Sequence, residues 1–219
     1  MKKIFFILIT LLFSPDLFAQ VSCPNKFPVP KINIYTSYGN LKYNNQYNNA
    51  QITQISKNNN VLEKGIFASG LSILSINYNI KIKTIGQPFT KKTFCVYPEA
   101  VNFSIYYKNP TIFISNQLKK NSCEYKIVLR HEQAHMQINK TALDYFLPLF
   151  YNAIEKISSN IRPIQINNIS QLKSASDKLT LEYSKKIDPL FDYFKQQINE
   201  EQKKLDNPNN YEYESTLCK

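Results

Sequence analysis

Both histidines of this chain, His131 and His135, lie in the segment VLRHEQAHMQIN, and Glu132 follows the first of them. Residues four apart on a helix are one turn apart, so the two imidazole rings project from one face and can bind one metal ion. Zinc suits such a site because neutral imidazole is a good zinc ligand and a catalytic zinc keeps one coordination position open for water. The pattern H-E-x-x-H therefore predicts hydrolysis assisted by Zn²⁺, with Glu132 as the general base that deprotonates the water.

The third metal ligand is expected to be a carboxylate, because the chain has no third histidine. Glu201 is the favoured candidate, since it occupies an inward position of a later helix where an apolar residue is typical. If the two helices form an antiparallel hairpin that turns near residues 160–169, position 201 comes level with about residue 128, close to a metal held by His131. Asp144 is half a turn out of phase with the histidines and is disfavoured. The alternatives that stay open are Glu155, Glu212 and Glu214.

A hydrolase of this kind also needs a hydrogen-bond donor for the negative charge that develops on the carbonyl oxygen. With both histidines assigned to the metal, a tyrosine is the natural donor. The chain has 15 tyrosines, whose ordinary role is packing. Three of them are candidates, Tyr183, Tyr211 and Tyr213.

The element that must hold the histidines is predicted to be a long helix. Inward positions recur at alternating steps of three and four residues from 124 to 149, and both histidines lie on this stripe. Asn121, followed three positions later by Glu124, fits an N-cap with its capping-box partner, and Pro148 is expected to kink or interrupt the helix. A second helix, antiparallel to the first, is predicted from about Ser170 to Leu205.

The first half of the chain is predicted to form strands. LSILSINYNIKIKTIG alternates apolar and polar residues with a period of two, and KINIYTS is a weaker strand candidate. VNFSIYY and TIFIS are separated by KNP and favour a hairpin across Lys108 to Pro110. The fold class expected is α+β, with an N-terminal, mainly antiparallel β-sheet followed by the H-E-x-x-H helix and the second antiparallel helix.

The N-terminal residues have the layout of a secretory signal peptide. Lys2 and Lys3 precede the apolar run IFFILITLLF, and SPDLFA ends at Ala19. Residues 1–19 are therefore expected to be removed, and residues 20–219 to form one exported domain, secreted or periplasmic. No other segment is apolar and long enough for stable membrane insertion after cleavage.

The formal net charge of +11 is spread along the chain without a dense cluster of lysines. Because there is also no nucleic-acid-binding motif and an export signal is predicted, no nucleic acid is expected as a partner.

Four cysteines, an even number in a predicted oxidising compartment, suggest two disulfides and no free thiol. The predicted hairpin would bring the region of Cys123 towards Cys95. The expected pairs are therefore Cys95 with Cys123 and Cys23 with Cys218.

The segment TIFISNQLKKNSCEYKIVLRHEQAHMQIN resembles the zincin metallopeptidases, in particular bacterial families of predicted secreted Zn-dependent proteases, in which a strand and a cysteine precede the H-E-x-x-H helix. The resemblance covers chiefly residues 110–140, with a looser similarity in the terminal YEYESTLC. It implies a zinc site with His131 and His135 as ligands and Glu132 as base. The chain lacks the H-x-x-G-x-x-H extension of some zincins.

The function expected from these features is a secreted zinc-dependent peptidase or amide hydrolase that acts on a peptide or protein substrate. TIFIS is expected to offer its edge to an extended peptide. The alternative is a non-catalytic exported envelope or effector protein in which the histidine pair is structural or only binds metal. An open metal position distinguishes the two, because a structural zinc is fully coordinated by protein.

Overall fold

The protein is represented by a computed structural model, which describes residues 22–24, 27–59 and 68–218. The predicted signal peptide over residues 1–19 lies outside the described residues. Within these residues five strands and four helices follow one another, with a short 3-10 turn at Ile169–Gln171 before the third helix. Their bounds are β1 Lys31–Ser37, β2 Lys42–Asn44, α1 Asn49–Asn58, β3 Gly70–Pro88, β4 Phe94–Ile114, α2 Cys123–Asn160, β5 Ile164–Ile166, α3 Leu172–Leu205 and α4 Pro208–Thr216.

The five strands form one mixed sheet in which β4 pairs with each of the other four. β3 runs antiparallel along almost the whole of one edge of β4, from Gly70 opposite Ile114 to Pro88 opposite Phe94. Along the opposite edge of β4, β1 and β2 pair in parallel and the short β5 pairs antiparallel. The α+β class is thus confirmed. The predicted mainly antiparallel sheet is not borne out, because β1 and β2 both run parallel to β4.

The predicted hairpin across Lys108 to Pro110 is wrong, because both of its supposed strands belong to β4. Ile73 is opposite Thr111 and Ser75 is opposite Lys108, so two residues of β4 stand against the single residue Leu74. This is the geometry of a β-bulge, and Asn109 adopts a positive φ of 52° within it. Two polar residues followed by proline are typical of turns. Here they belong to a bulge within a continuous strand.

The strand predicted for LSILSINYNIKIKTIG is confirmed by β3. The alternation of apolar and polar residues along it determines which face of the strand packs against the helices. Even-numbered residues from Ser72 to Ile82 face α2 and α3, while Leu71 and Ile73 pack with α1 on the opposite face. The main core lies between the sheet and the α2–α3 pair. Its largest fully buried aromatic side chains are Phe103, Phe150, Tyr183 and Phe194.

The two long helices form where the sequence predicts them and pack against each other. α2 is capped by Ser122, whose side chain accepts from the Tyr125 amide, rather than by Asn121, which has a positive φ of 66°. Of the kink or interruption predicted at Pro148, the interruption is wrong, since α2 continues as one helix to Asn160. None of the described helices is both long and apolar enough to cross a membrane.

The disulfides join Cys23 to Cys95 and Cys123 to Cys218, so both predicted pairs are wrong. Cys95 lies at the start of β4, whereas Cys123 follows its far end, and a strand of 21 residues spans on the order of 60 Å when extended. The error therefore follows from the false hairpin. Because α3 returns antiparallel to α2, the C-terminal residues reach the start of α2, which allows Cys218 to bond to Cys123.

Candidate metal centre

The two histidines lie one turn apart on α2 and direct one ring nitrogen each to a common point. The Nε2 atoms of His131 and His135 are 3.1 Å apart. Both side chains are nearly inaccessible to solvent, with 6% of the His131 side chain and 13% of the His135 side chain exposed. The predicted spacing thus brings both rings to one inward-facing place.

Asp206 supplies a third donor atom at the same point. Its Oδ1 atom lies 3.1 Å from Nε2 of His131 and 3.0 Å from Nε2 of His135. Asp206 is the C-cap of α3, so it sits where the chain leaves the helix. The group formed by His131, His135 and Asp206 could hold a metal ion.

Glu201, the predicted third ligand, does not join this group. Its carboxylate is half exposed and pairs with Lys204 at 2.6 Å. The buried stripe of α3 runs through Phe194 and Ile198, and from Ile198 it continues by steps of four to 202 and 206 rather than by a step of three to 201. Because Gln202 bonds to His135, position 201 lies about two turns further along α2 than predicted.

None of the other candidate carboxylates joins the three donor atoms. Glu155 and Glu212 are exposed, and Asp144 accepts a hydrogen bond from Tyr38. Glu214 does reach the site, but at the far ring nitrogen of His131, at 3.0 Å from Nδ1. Asp206 was missed because it lies beyond the last helical residue, where a helical stripe no longer applies. The signal available in the sequence was a carboxylate directly before Asn-Pro at a helix end.

The three donor atoms fit a small divalent ion. Zinc binds imidazole nitrogen and carboxylate oxygen at about 2.0 to 2.2 Å, and donor atoms 3.0 to 3.1 Å apart are close enough together to be shared by one such ion. All three residues line one cavity of about 560 Å³, so a water molecule could reach an ion held by them.

Each histidine has a hydrogen-bond partner for the ring nitrogen that faces away from the donor group. Nδ1 of His135 bonds to Oε1 of Gln202, and Gln202 also donates from Nε2 to the His135 carbonyl at 3.1 Å. Nδ1 of His131 bonds to Oε2 of Glu214. These oxygen acceptors favour the tautomers that carry the proton on Nδ1, which leaves both Nε2 lone pairs free for a metal.

The charges of the group are strongly coupled. Burial lowers the pKa of each histidine, but bonding to Asp206 and other nearby carboxylates outweighs it and raises both pKa values above the ordinary range. Burial raises the pKa of the Asp206 carboxyl, and the bonds from the two histidines more than reverse this, so its pKa is well below normal. An anionic Asp206 therefore faces the two rings, as a metal ligand requires.

Glu132 lies beside the metal group, in the narrow space between α2 and the start of β3. The residue is 6% exposed, and Ser72 of β3 donates to its backbone carbonyl at 2.8 Å. Burial raises the pKa of the carboxyl, against the opposing effect of the two histidines. A buried carboxylate at this place is suited to accept a proton near neutral pH.

Tyr211 is the only one of the three candidate tyrosines that reaches the site. Its ring stacks on His131 with centroids 5.1 Å apart, and its hydroxyl donates to Asp206 at 2.8 Å. Burial and the bond to Asp206 raise its pKa, which keeps it a protonated donor. Tyr183 is buried against Ser158, and Tyr213 is 62% exposed.

Two cavities meet at the site. The cavity of about 560 Å³ extends from the donor group along α3, and a second of about 430 Å³ extends towards Cys218 beside the start of α2. The residues common to both are Gly70, His131, Glu132 and Tyr211. The two cavities together form a groove, with His131 and Glu132 where they adjoin and with His135 and Asp206 in the first of them.

Comparison of the chain with protein-family models, with curated proteins and with solved structures finds no match. The chemistry of the site is thus defined by its own residues. They are two imidazole nitrogen donors, one anionic oxygen donor, a buried carboxylate and a phenolic hydroxyl, arranged around one accessible point.

Proposed function

We propose that the protein is a zinc-dependent hydrolase of the zincin type that cleaves peptide bonds or related amides. The observation that carries the proposal is the convergence of His131, His135 and Asp206 on one point, with Nε2 and Oδ1 atoms 3.0 to 3.1 Å apart, beside the buried Glu132. The resemblance around H-E-x-x-H supports the same chemistry.

Zinc is the ion proposed because two imidazoles and one carboxylate form a common ligand set of catalytic zinc. When bound, the ion would act as a Lewis acid that polarises the substrate carbonyl and activates water. Three protein donors among the described residues are too few for a closed structural site, which uses four. This difference favours catalysis over the non-catalytic alternative.

Proton transfer, stabilisation of the transition state and orientation of the rings are assigned to residues of the protein. Glu132 accepts the proton of the attacking water and passes it to the leaving amine. Tyr211, which can exchange its bond to Asp206 for one to substrate, is the candidate donor to the negative oxygen of the transition state. Glu214 and Gln202 hold the two rings in orientation.

A peptide substrate is supported by the strand next to the site. The expectation that TIFIS offers a free edge is wrong, because residues 111–113 pair with β2 on one side and residues 111–114 with β3 on the other. β3 pairs only with β4 among the described strands, and residues 70–72 of β3 line the groove. We infer that an extended peptide binds along this part of β3.

We also propose that the protein works outside the cytoplasm, either secreted or in the periplasm. All four cysteines form disulfides, which is consistent with an oxidising compartment. The predicted signal peptide over residues 1–19 accounts for how the chain would reach it.

The test is metal analysis of the purified protein together with assays on a mixture of peptides analysed by mass spectrometry. We expect about one zinc per chain, loss of zinc in His135→Ala and Asp206→Ala, and retained zinc without cleavage in Glu132→Gln. Glu201→Ala is the matched control on the same helix, since its carboxylate bonds to Lys204. Full zinc in Asp206→Ala, or cleavage by Glu132→Gln, would contradict the proposal. Zinc without any exchangeable water would favour the structural alternative.

A further inference from the structure

Gly70 stands at the closest approach of β3 to α2. A Cβ atom built on Gly70 would lie 2.6 Å from Oε1 of Glu132, 2.6 Å from Cγ1 of Val128 and 2.8 Å from Cγ of Glu132. These separations are shorter than real carbon contacts, since non-bonded carbon atoms prefer about 3.5 to 4.0 Å. Any side chain at position 70 must therefore displace one of these groups.

The requirement for glycine is one of space and not of backbone conformation. Gly39 is the only glycine with a positive φ among the described residues, so alanine at position 70 has no conformational penalty of that kind. One of the two closest contacts is the end of the flexible Glu132 side chain. An added methyl group is therefore accommodated by moving the Glu132 carboxylate and turning Val128, without unfolding the strand.

β3 carries small residues where it faces Glu132 and large apolar ones beyond them on the same face. Residues of β3 that face the long helices are apolar and large from Leu74 to Ile82, but the two that meet α2 beside the metal group are Gly70 and Ser72. Ser72 is small and bonds to the Glu132 carbonyl at 2.8 Å. At the start of β3, small residues therefore leave room for the backbone and the side chain of Glu132.

We propose that Gly70 is a positioning residue, because its lack of a side chain lets the Glu132 carboxylate lie beside the metal group in the place that a Cβ atom would take. The inference rests on the proposed role of Glu132 as general base. It adds a determinant of activity that lies on the sheet, about 60 residues before the metal-binding helix motif.

The activity test compares Gly70→Ala with Gly86→Ala. Gly86 lies on the same strand and faces the same way, but its Cβ would meet nothing closer than 3.4 Å. We expect Gly70→Ala to bind zinc normally and to lose about 100-fold in kcat with little change in KM, because a displacement of about 1 Å in a reacting group has such an effect. Gly86→Ala should keep full activity. Equal kcat in the two variants would overturn the proposal.

A second variant separates the two clashes. Gly70→Ala combined with Val128→Ala removes the contact with Val128 but leaves the contact with Glu132. If the carboxylate is the affected group, kcat stays low in the double variant. Recovery of wild-type kcat would show that the effect passes through packing at Val128 and would refute the positioning role.

A readout independent of hydrolysis keeps this inference distinct from the proposed function. The carboxyl ¹³C resonance of Glu132, assigned by its absence in Glu132→Gln, should shift in Gly70→Ala and stay in place in Gly86→Ala. If the wild-type protein hydrolyses nothing but the resonance shifts, the proposed function fails while the positioning survives. An unshifted resonance in Gly70→Ala overturns the positioning itself.

Discussion

At the scale of single residues, both ring nitrogens of each histidine are engaged, so neither ring is free to rotate. His135 is held by the amide of Gln202, which contacts both its ring and its backbone carbonyl. His131 is held by Glu214 on one edge and by stacking on Tyr211. The Nε2 atoms of both rings are therefore held in place by protein contacts, which would reduce the entropy lost if the proposed zinc binds.

The contribution of Gln202 can be measured by replacing it with alanine. Gln202→Ala removes the acceptor that fixes His135 with Nε2 towards the metal, and we expect zinc affinity to fall about 10- to 100-fold. Gln196→Ala is the control, because Gln196 lies on the same helix but bonds to Glu200. Competition with a zinc-binding dye measures both. Equal affinities in the two variants would show that the orientation of His135 does not depend on Gln202.

The residues of the site differ in how well the sequence indicates them. His131, Glu132 and His135 are separated by less than two helical turns, so helical geometry alone predicts that the two rings share a face. Asp206 comes from another element, and its position depends on the register of two long helices and on where the second one ends. A shift of one residue in the inferred stripe selects position 201 in place of 202, and no local pattern corrects it.

At the scale of the elements, α4 is held in place chiefly by a few specific bonds. None of its residues is buried, so packing contributes little to its position. It is held by the Cys123–Cys218 disulfide just beyond its end, by Glu214 at His131 and by Tyr211 at Asp206. The disulfide therefore joins the start of the helix that bears both histidines to the helix that contacts His131.

Removing this disulfide should weaken the metal site. In the double variant Cys123→Ser/Cys218→Ser, α4 loses its covalent attachment, and we expect zinc affinity to fall about tenfold or more as Glu214 becomes less ordered. Cys23→Ser/Cys95→Ser is the matched control, because that disulfide joins the N-terminal segment to β4. Both double variants should unfold at lower temperature, but zinc titration should distinguish them. Equal loss of zinc affinity in both would contradict a specific role for α4.

The regular parts of the elements were predictable and their connections were not. β3 and the two long helices have patterns that extend over many residues, so a local irregularity does not hide them. Lys108–Pro110 has the composition of a turn, and only the pairing of β3 across the bulge shows that β4 continues. That single error determined the wrong disulfide pairs as well, because the expected location of Cys95 was derived from the hairpin.

At the scale of the whole molecule, one aromatic cluster links the sheet to both long helices. Phe150 of α2 is fully buried, and its ring centroid lies 5.2 Å from that of Phe103 on β4 and 5.9 Å from that of Phe194 on α3. We expect Phe150→Ala to lower the free energy of unfolding by about 3 to 5 kcal/mol, the usual result of removing a buried aromatic ring.

The control for this prediction is Tyr145→Ala on the same helix. Tyr145 is 69% exposed, so its replacement should change the free energy of unfolding by only about 0.5 kcal/mol. Urea unfolding followed by circular dichroism measures both variants. A loss below about 1 kcal/mol in Phe150→Ala would mean that the cluster does not join the sheet to the helices as described.

The central position of β4 has a kinetic consequence. Its partners include β1, whose residues 31–37 pair with residues 100–106. When the Cys23–Cys95 disulfide is reduced, this parallel pairing closes a loop of about 70 residues. Such non-local pairing is slow, whereas the antiparallel contact between β3 and β4 and the α2–α3 hairpin join neighbours in the chain. The order of assembly that follows for the reduced chain is β3–β4 and α2–α3 first, with β1 added last. The N-terminal strand would then be the last part of the sheet to gain protection from hydrogen exchange when the reduced chain refolds.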